Sequence, residues 1–388
     1  MQENDSHYVI RTGLQPCDFS PSEWDALLAA QDQPTPFMRH ASLLALHDSG
    51  SACAETGWQP AFVGVWHGPA LIAACPLYLK DHSYGEYVFD WAWADAYQRH
   101  GLRYYPKALI AVPFTPVPGS RLLAQDAAMR QRLLQTVIDR CEDEQRSSLH
   151  LLFASDDDLV ATQALGLMPR QTVQFHWQRQ GQQDFDDYLS ALTQDKRKKI
   201  RQERRRVARA GVTFRHARGR GISAQDWSFF YQCYERTYLE HGNRPYLQPA
   251  FFEAMGRDLP EHWLLFIAQR DGRDMACSLI GLHDEPGQAK VAYGRYWGAL
   301  ERVDCLHFEA CYYQPLDWCL AHGVDRFEGG AQGEHKMARA LMPVSTHSAH
   351  WLAHPGFAQA VEDFLQREGA GVSHYLEHLQ ERSPLRRT

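Results

Sequence analysis

The sequence predicts a mixed α/β fold built from two similar units. Three observations carry this. The order strand hairpin, helix, strand occurs twice along the chain. The 388 residues suffice for two domains, each with its own core. Apolar content of 44% and charged content of 22% are the balance of a soluble globular protein. The first unit is expected to span 1–180 and the second 212–388, with 181–211 as a basic helical connector.

Each element has its own signal. In "SPSEWDALLAA", Ser20 or Ser22 caps a helix with Trp24, Leu27 and Leu28 on one face. "AFVGVWHGPALIAACPLYLK" reads as two strands joined at His67-Gly68-Pro69. "MRQRLLQTVIDRCEDEQ" lines up Leu133, Leu134, Val137 and Cys141 as a helical stripe, and the strand "SLHLLFA" follows. The order then returns. "HWLLFIAQRDGRDMACSLIGLHD" is a hairpin turning at Asp271-Gly272, and "AKVAYGRYWGA" is a further strand. "DCLHFEACYYQPLDWCLAHG" is a helix capped by Asp304 and kinked at Pro315, with Phe308, Cys311, Tyr312, Leu316, Cys319 and Leu320 on its apolar face. Glu309 falls in its first turn, where the helix dipole accounts for a carboxylate. "VDRFEGGAQGE" is the next strand and its loop.

Several classes are excluded. "MQENDSHYVI" has no leader pattern, and no stretch approaches the roughly 20 apolar residues of a membrane span. Nine cysteines without a C-x-x-C pair read as reduced, buried thiols, which predicts a cytoplasmic protein. Without G-x-x-x-x-G-K-[ST] or G-x-G-x-x-G, neither nucleotide hydrolysis nor a Rossmann cofactor is expected. No permanently bound cofactor is expected. His347, His350 and His354 have no Cys or acid beside them, so no metal is assigned.

One run stands apart. "DKRKKIRQERRRVARAG" (195–211) holds nine Lys or Arg against two acids, in a chain with 40 basic and 47 acidic side chains. Ile200 and Val207, with Ala210, leave a narrow apolar seam, and Gly211 stops the helix before a strand beginning "VTF". A solvated helix face is the ordinary reading of such a run. Like charges at i,i+4 (Arg197 with Arg201, Arg201 with Arg205) weaken an isolated helix, however, and an anion resting there offsets that cost. Phosphate suits both Arg and Lys.

Together, 78–123 ("YLKDHSYGEYVFDWAWADAYQRHGLRYYPKALIAVPFTPVPGSRLL"), the basic helix, and 327–352 ("FEGGAQGEHKMARALMPVSTHSAHWL") resemble a bacterial family of N-acyltransferases. That family belongs to the GNAT superfamily and is similar to Fem-type peptidyltransferases. The resemblance implies an α/β (α+β) fold of tandem GNAT-like acyl-CoA N-acyltransferase domains, with mixed sheets flanked by helices. The N-terminal domain then serves the acceptor, and the C-terminal domain the donor and the chemistry. Acyl-CoA or aminoacyl-tRNA is the implied co-substrate, with tRNA as a partner in the second case. The acceptor is a small-molecule or peptide amine, linked to peptidoglycan precursors in the Fem-type case. Against the superfamily's R/Q-x-x-G-x-G/A loop, Arg295 and Gly298 match, while Leu300 stands where a small residue is expected and counts against ordinary CoA binding.

The site residues follow from these stretches. Donor phosphate is assigned to Lys196, Arg197, Lys199, Arg201, Arg204 and Arg205, with Arg295 and Gly298. Between Tyr84 and Tyr105, eight aromatics in 22 residues are interleaved with acids. Core packing accounts for such a stripe, but rigid rings with carboxylates also suit an amine, through cation–π attraction and ion pairing. Tyr84, Glu86, Tyr87, Asp90, Trp91, Trp93, Asp95, Phe114 and Thr115 are the acceptor candidates. In "EGGAQGEHK", three glycines permit a bare backbone; Glu328, Glu334 and His335 are candidate bases, and Lys336 or glycine amides candidate oxyanion donors. Lys336 matches a lysine of similar Fem-type loops. A tight turn with solvated charges is the plainer reading of that loop. No nucleophile–base pairing is legible, so direct attack by the acceptor amine is expected. The alternative from another class is a non-catalytic RNA-binding or adaptor protein that keeps the fold.

Overall fold

A computed structural model describes residues 8–331 and 333–386. Residues 1–7 of the stretch read for a leader, and Gln332 of the glycine-rich loop, lie outside them. The chain forms two compact units: Met1–Thr172 with Thr346–Ser373, and Val173–Ser345 with His374–Thr388. The divisions fall inside the strands Met168–Gln178 and Met342–Leu352 and inside the last helix, Pro355–Glu381. The run expected as a connector, 181–211, lies within the second unit. The physical reason is its seam: Ile200 joins a core with Leu264 and Phe266, and Val207 joins one with Val212 and Ala268.

In the first unit, Tyr8–Leu14, Phe62–His67 and Ala70–Cys75 pair antiparallel, with Leu123–Ala124 at the edge. The Gly68 turn takes φ +59, a left-handed conformation that glycine adopts without a Cβ clash. Leu77–Lys80 pairs antiparallel with Lys107–Ile110, which runs parallel to Ser148–Leu151. Ser20 caps Pro21–Ala29 through the Glu23 amide, and Asp126 caps Ala127–Asp143, whose Leu133, Leu134, Val137 and Cys141 are buried as expected.

In the second unit, Val212–Arg218, Trp263–Arg270, Arg273–His283 and Val291–Ala299 form an antiparallel run. Asp271 and Gly272 both take positive φ, the two-residue turn that matches strand twist. Val291–Tyr293 then pairs parallel with Arg326–Glu328. The pairing ends there although the strands continue, to Ala299 and Ala331. Between Leu279↔Tyr296 and Ile280↔Gly294 the register slips by one, so Arg295 is the inserted residue of a β-bulge. The expected mixed α/β plan of two units is therefore present.

The helix between those strands differs from expectation. Cys305, at φ +68, occupies its N-cap instead of Asp304, and a π turn at Glu309–Tyr313 precedes Gln314–Ala321. The wider turn accommodates the ring and missing N–H of Pro315, so the proline is absorbed as a bulge. Ser278 Oγ donates to the Ala310 carbonyl of that turn (2.6 Å).

Candidate functional site

Where the strands Val291–Ala299 and Arg326–Ala331 part, a cleft of about 140 Å³ opens, with Gly294 and Gly329 on its walls. The bulge sets Arg295 beside it, the turn Leu306–Phe308 presents His307, and the π turn presents Cys311 and Tyr312. Burial, then the nearby cations, lowers the His307 pKa to about 4. His335 is also lowered by burial and by Arg339 and Lys336, so both rings are neutral with a lone pair at neutral pH. Tyr312 Oη lies 3.4 Å from His335 Nε2, and Phe308 packs on the His335 ring. Burial pushes the Cys311 thiol up, which leaves it a poor nucleophile.

The candidates around this cleft separate by what already holds them. Phe327 and Gly329 line it, so strand alternation sends Glu328 to the opposite face. There Arg326 Nε donates to Glu328 Oε1 (2.9 Å), and burial carries the carboxyl up to about 7. Glu334 accepts from Tyr375 Oη (3.0 Å) and Arg382 Nη1 (3.1 Å). Lys336 Nζ donates to the carbonyls of Gly329, Gly330 and Ala331 at 2.6, 3.3 and 2.8 Å. All three ammonium hydrogens are committed, so Lys336 shapes the loop and is not a spare oxyanion donor. A Cβ on Gly329 would meet Leu341 Cδ2 at 2.4 Å, so this glycine serves close packing. His335 does not itself line the cleft; its ring adjoins it through the lining residue Tyr312.

Two further residues, Glu203 and Arg339, position it. Arg339 Nη2 donates to Glu203 Oε2 (2.8 Å), Nη1 donates to the His335 carbonyl (2.7 Å), and the guanidinium sits 3.7 Å from the Phe308 ring centroid. Tyr313 Oη also donates to Glu203. The signal for Glu203 lay in its position, on the same seam as Ile200 and Val207.

The donor candidates divide as well. Lys196 and Arg197 are half-buried, while Lys199, Arg201 and Arg205 are exposed. Arg204 Nε donates to Glu309 Oε1 (3.1 Å), and its guanidinium lies over Phe185. Glu309 also accepts from Gln314 (2.8 Å) and is buried, so the dipole reading of it does not hold: a side-chain network determines its place. Arg295 Nη2 donates to Tyr296 Oη (3.1 Å). Gly298 serves packing, because a Cβ there would lie 2.1 Å from the Cys233 carbonyl oxygen. Gly298→Ala should lower stability by about 1–3 kcal/mol through overpacking; an unchanged melting temperature would contradict this contact. The Leu300 amide is bonded to the Met275 carbonyl (2.7 Å) and is not available to a pyrophosphate.

In the first unit, Glu86 and Asp90 are buried and already clamp an ammonium, that of Lys107. Lys107 also donates to Ser83 Oγ (2.8 Å), and Tyr104 Oη donates to Asp90 Oδ2 (2.5 Å). Burial carries Glu86 up to about 7 against the pull of Lys107, whereas for Asp90 the pull of Lys107 and His150 overcomes burial and holds it low. His150 Nδ1 lies 2.7 Å from His350 Nδ1, so His350 is engaged there. Trp93 packs edge-on against His350, and Phe114 packs against Trp58; both are core. Thr115 is buried and bonded to the Pro113 carbonyl. Tyr84, Tyr87, Trp91 and Asp95 are exposed, with the Tyr84 and Trp91 rings 4.8 Å apart. Glu86, Asp90, Trp93, Phe114 and Thr115 thus build the unit, and the exposed four stand at its surface.

A separate cavity of about 230 Å³ against His176, Gln178, Gln180, Gln182 and Tyr188 has no carboxylate or cation among its lining residues. No group of three or more His, Cys, Asp or Glu fit to hold a metal occurs among the described residues. Among the same residues, no helix is long and apolar enough to cross a membrane.

A model of a FemAB-like family, described as peptidoglycan biosynthesis/recognition, matches residues 17–387. No curated protein matches. Among solved structures, FemX is similar at 12% identity, covering 89% of this chain and 98% of its own, with a TM-score of 0.52. L-PGS from Bacillus licheniformis is similar at 10% identity, covering 91% and 98%, with a TM-score of 0.53. The C-terminal domain of a putative lysylphosphatidylglycerol synthetase from Agrobacterium fabrum is similar at 11% identity, covering 88% and 94%, with a TM-score of 0.51. At these identities the likeness is one of fold.

Proposed function

Because the chain belongs to the FemAB-like family, we propose that it is an N-acyltransferase that moves an aminoacyl or acyl group from a phosphate-bearing carrier to an amine. The observation that carries this reading is the cleft between the parted strands, walled by glycines and lined by His307, with His335 against its lining residue Tyr312. The acceptor nitrogen attacks the carrier's ester or thioester carbonyl. A C–N bond forms, the C–O or C–S bond breaks, and the carrier leaves with a proton. His335 is the base that takes the ammonium proton; His307, lowered to about 4, is too weakly basic for that task near neutral pH. Strand edges left open beyond Tyr293 and Glu328 offer backbone N–H groups to the oxyanion.

The committed Leu300 amide and the packed Gly298 support aminoacyl-tRNA over acyl-CoA as the donor, and exposed Lys199, Arg201 and Arg205 suit RNA phosphates. On the first unit, the Tyr84, Tyr87 and Trp91 rings, with Asp95, are the surface proposed for an amine or for a peptidoglycan-linked peptide.

Transfer is tested by mass spectrometry of an amine panel incubated with aminoacyl-tRNA or acyl-CoA. His335→Ala should reduce turnover by about 10²–10⁴-fold with folding intact. Because the His335 pKa is lowered, the wild-type rate should hold through neutral pH and fall only below the ordinary value of 6.5, as the ring protonates. RNA binding without transfer from any donor would favour the adaptor reading.

A further inference from the structure

Beside the basic helix Gln194–Arg209 lies a groove of about 450 Å³, separate in its lining from the cleft where transfer is placed. Its walls have three kinds of chemistry. Val207, Val212 and Phe214 give an apolar floor, and Phe214 is half-buried. Arg205 stands exposed at the rim, with exposed Arg209 one turn further along the helix. At the other side are Glu309 and Gln314.

Glu309 is the telling residue. It is 4% exposed, and its Oε1 is filled by Arg204 and Gln314. Its Oε2 is buried and has no hydrogen-bond partner among the described residues. A buried carboxylate oxygen without a donor is costly, and the cost disappears if a ligand N–H meets it. The groove therefore calls for a molecule with a flat apolar body, an N–H donor on one edge and a negative charge at the other end.

We propose that this groove binds one nucleotide: its base lies on Phe214, an exocyclic amino group donates to Glu309 Oε2, and its phosphate meets Arg205 and Arg209. A base stacks on an aromatic ring whatever its identity, while a carboxylate selects an amino-bearing edge and rejects a carbonyl. Adenine, cytosine and guanine carry such an amine; uracil does not. The groove also has the volume of a small-ligand site.

This inference rests on the carrier reading above, and both carriers present the chemistry: CoA through its adenine nucleotide, RNA through a terminal nucleotide. Calorimetric titration of the full chain with AMP, CMP and UMP tests it. AMP and CMP should bind at least about tenfold more tightly than UMP. Glu309→Gln, whose amide can also donate, should erase that preference, and Phe214→Ala should weaken all three. Two further arms, 3′,5′-ADP and a short RNA ending in an unpaired nucleotide, distinguish the sources; binding in either arm that Phe214→Ala weakens supports the site. Absence of nucleotide binding, equal affinity for UMP, or binding indifferent to Phe214→Ala overturns it. Should transfer persist while nucleotides fail to bind, this inference falls and the transferase reading stands. Nucleotide binding without transfer does the opposite: the groove stands as a nucleotide site and the transferase reading falls.

Discussion

Lys107→Met is expected to destabilise the first unit by about 3–5 kcal/mol, because it removes the only cation within bonding distance of two buried carboxyls among the described residues. Glu86 has a remedy: burial already carries it up to about 7, so it can take a proton and become neutral. Asp90 loses more, since its low titration depends on Lys107 and burial opposes its charge once that cation is gone. The loss should therefore come mostly from Asp90. Its contribution is present above the ordinary carboxylate range and is lost as pH falls through its depressed value. Denaturant unfolding should show the midpoint of Lys107→Met well below wild type at neutral pH, with the gap narrowing in acid. Adding Asp90→Asn should recover part of the loss. If Lys107→Met unfolds like wild type, the buried pair is not what holds this region together.

Glu203→Gln is expected to be comparably severe, about 3–5 kcal/mol, with a functional consequence as well. Arg339 is 2% exposed, and its charge would be left facing a neutral amide. The same guanidinium holds the His335 carbonyl and covers the Phe308 ring, so a loosened Arg339 moves the proposed base. Thermal melting should report the stability loss, and residual folded protein should transfer more slowly than wild type. Normal turnover in a variant that folds would mean that His335 needs no support from this pair.

Particular residues show how much was legible. The Asp271-Gly272 hairpin was readable because two residues with positive φ between alternating apolar runs permit little else. The helix carrying Leu133, Leu134, Val137 and Cys141 was readable from spacing alone. The helix before Pro315 was readable as a helix but not as a π turn, because a proline's clash can be relieved by a kink or by an extra residue. Glu203 was counted with the surface charges although it sits on the buried seam; two acids among nine cations look like compensation until Arg339, 136 residues further on, is brought to Glu203.

What the sequence by itself determined was local and periodic: the element order, the tandem mixed α/β plan, the basic helix with its narrow apolar edge, and the neighbourhood of His335. Those properties depend on residues a few positions apart, whose hydrogen bonding and burial repeat with a fixed period. Only the tertiary structure decided which charges were free to act. Glu86, Asp90, Glu334 and Lys336 all looked available, and each is already bonded to a group that the fold brings close. A buried charge must find its counter-charge or its carbonyls wherever the packed chain supplies them, and that distance in space has no counterpart in distance along the chain.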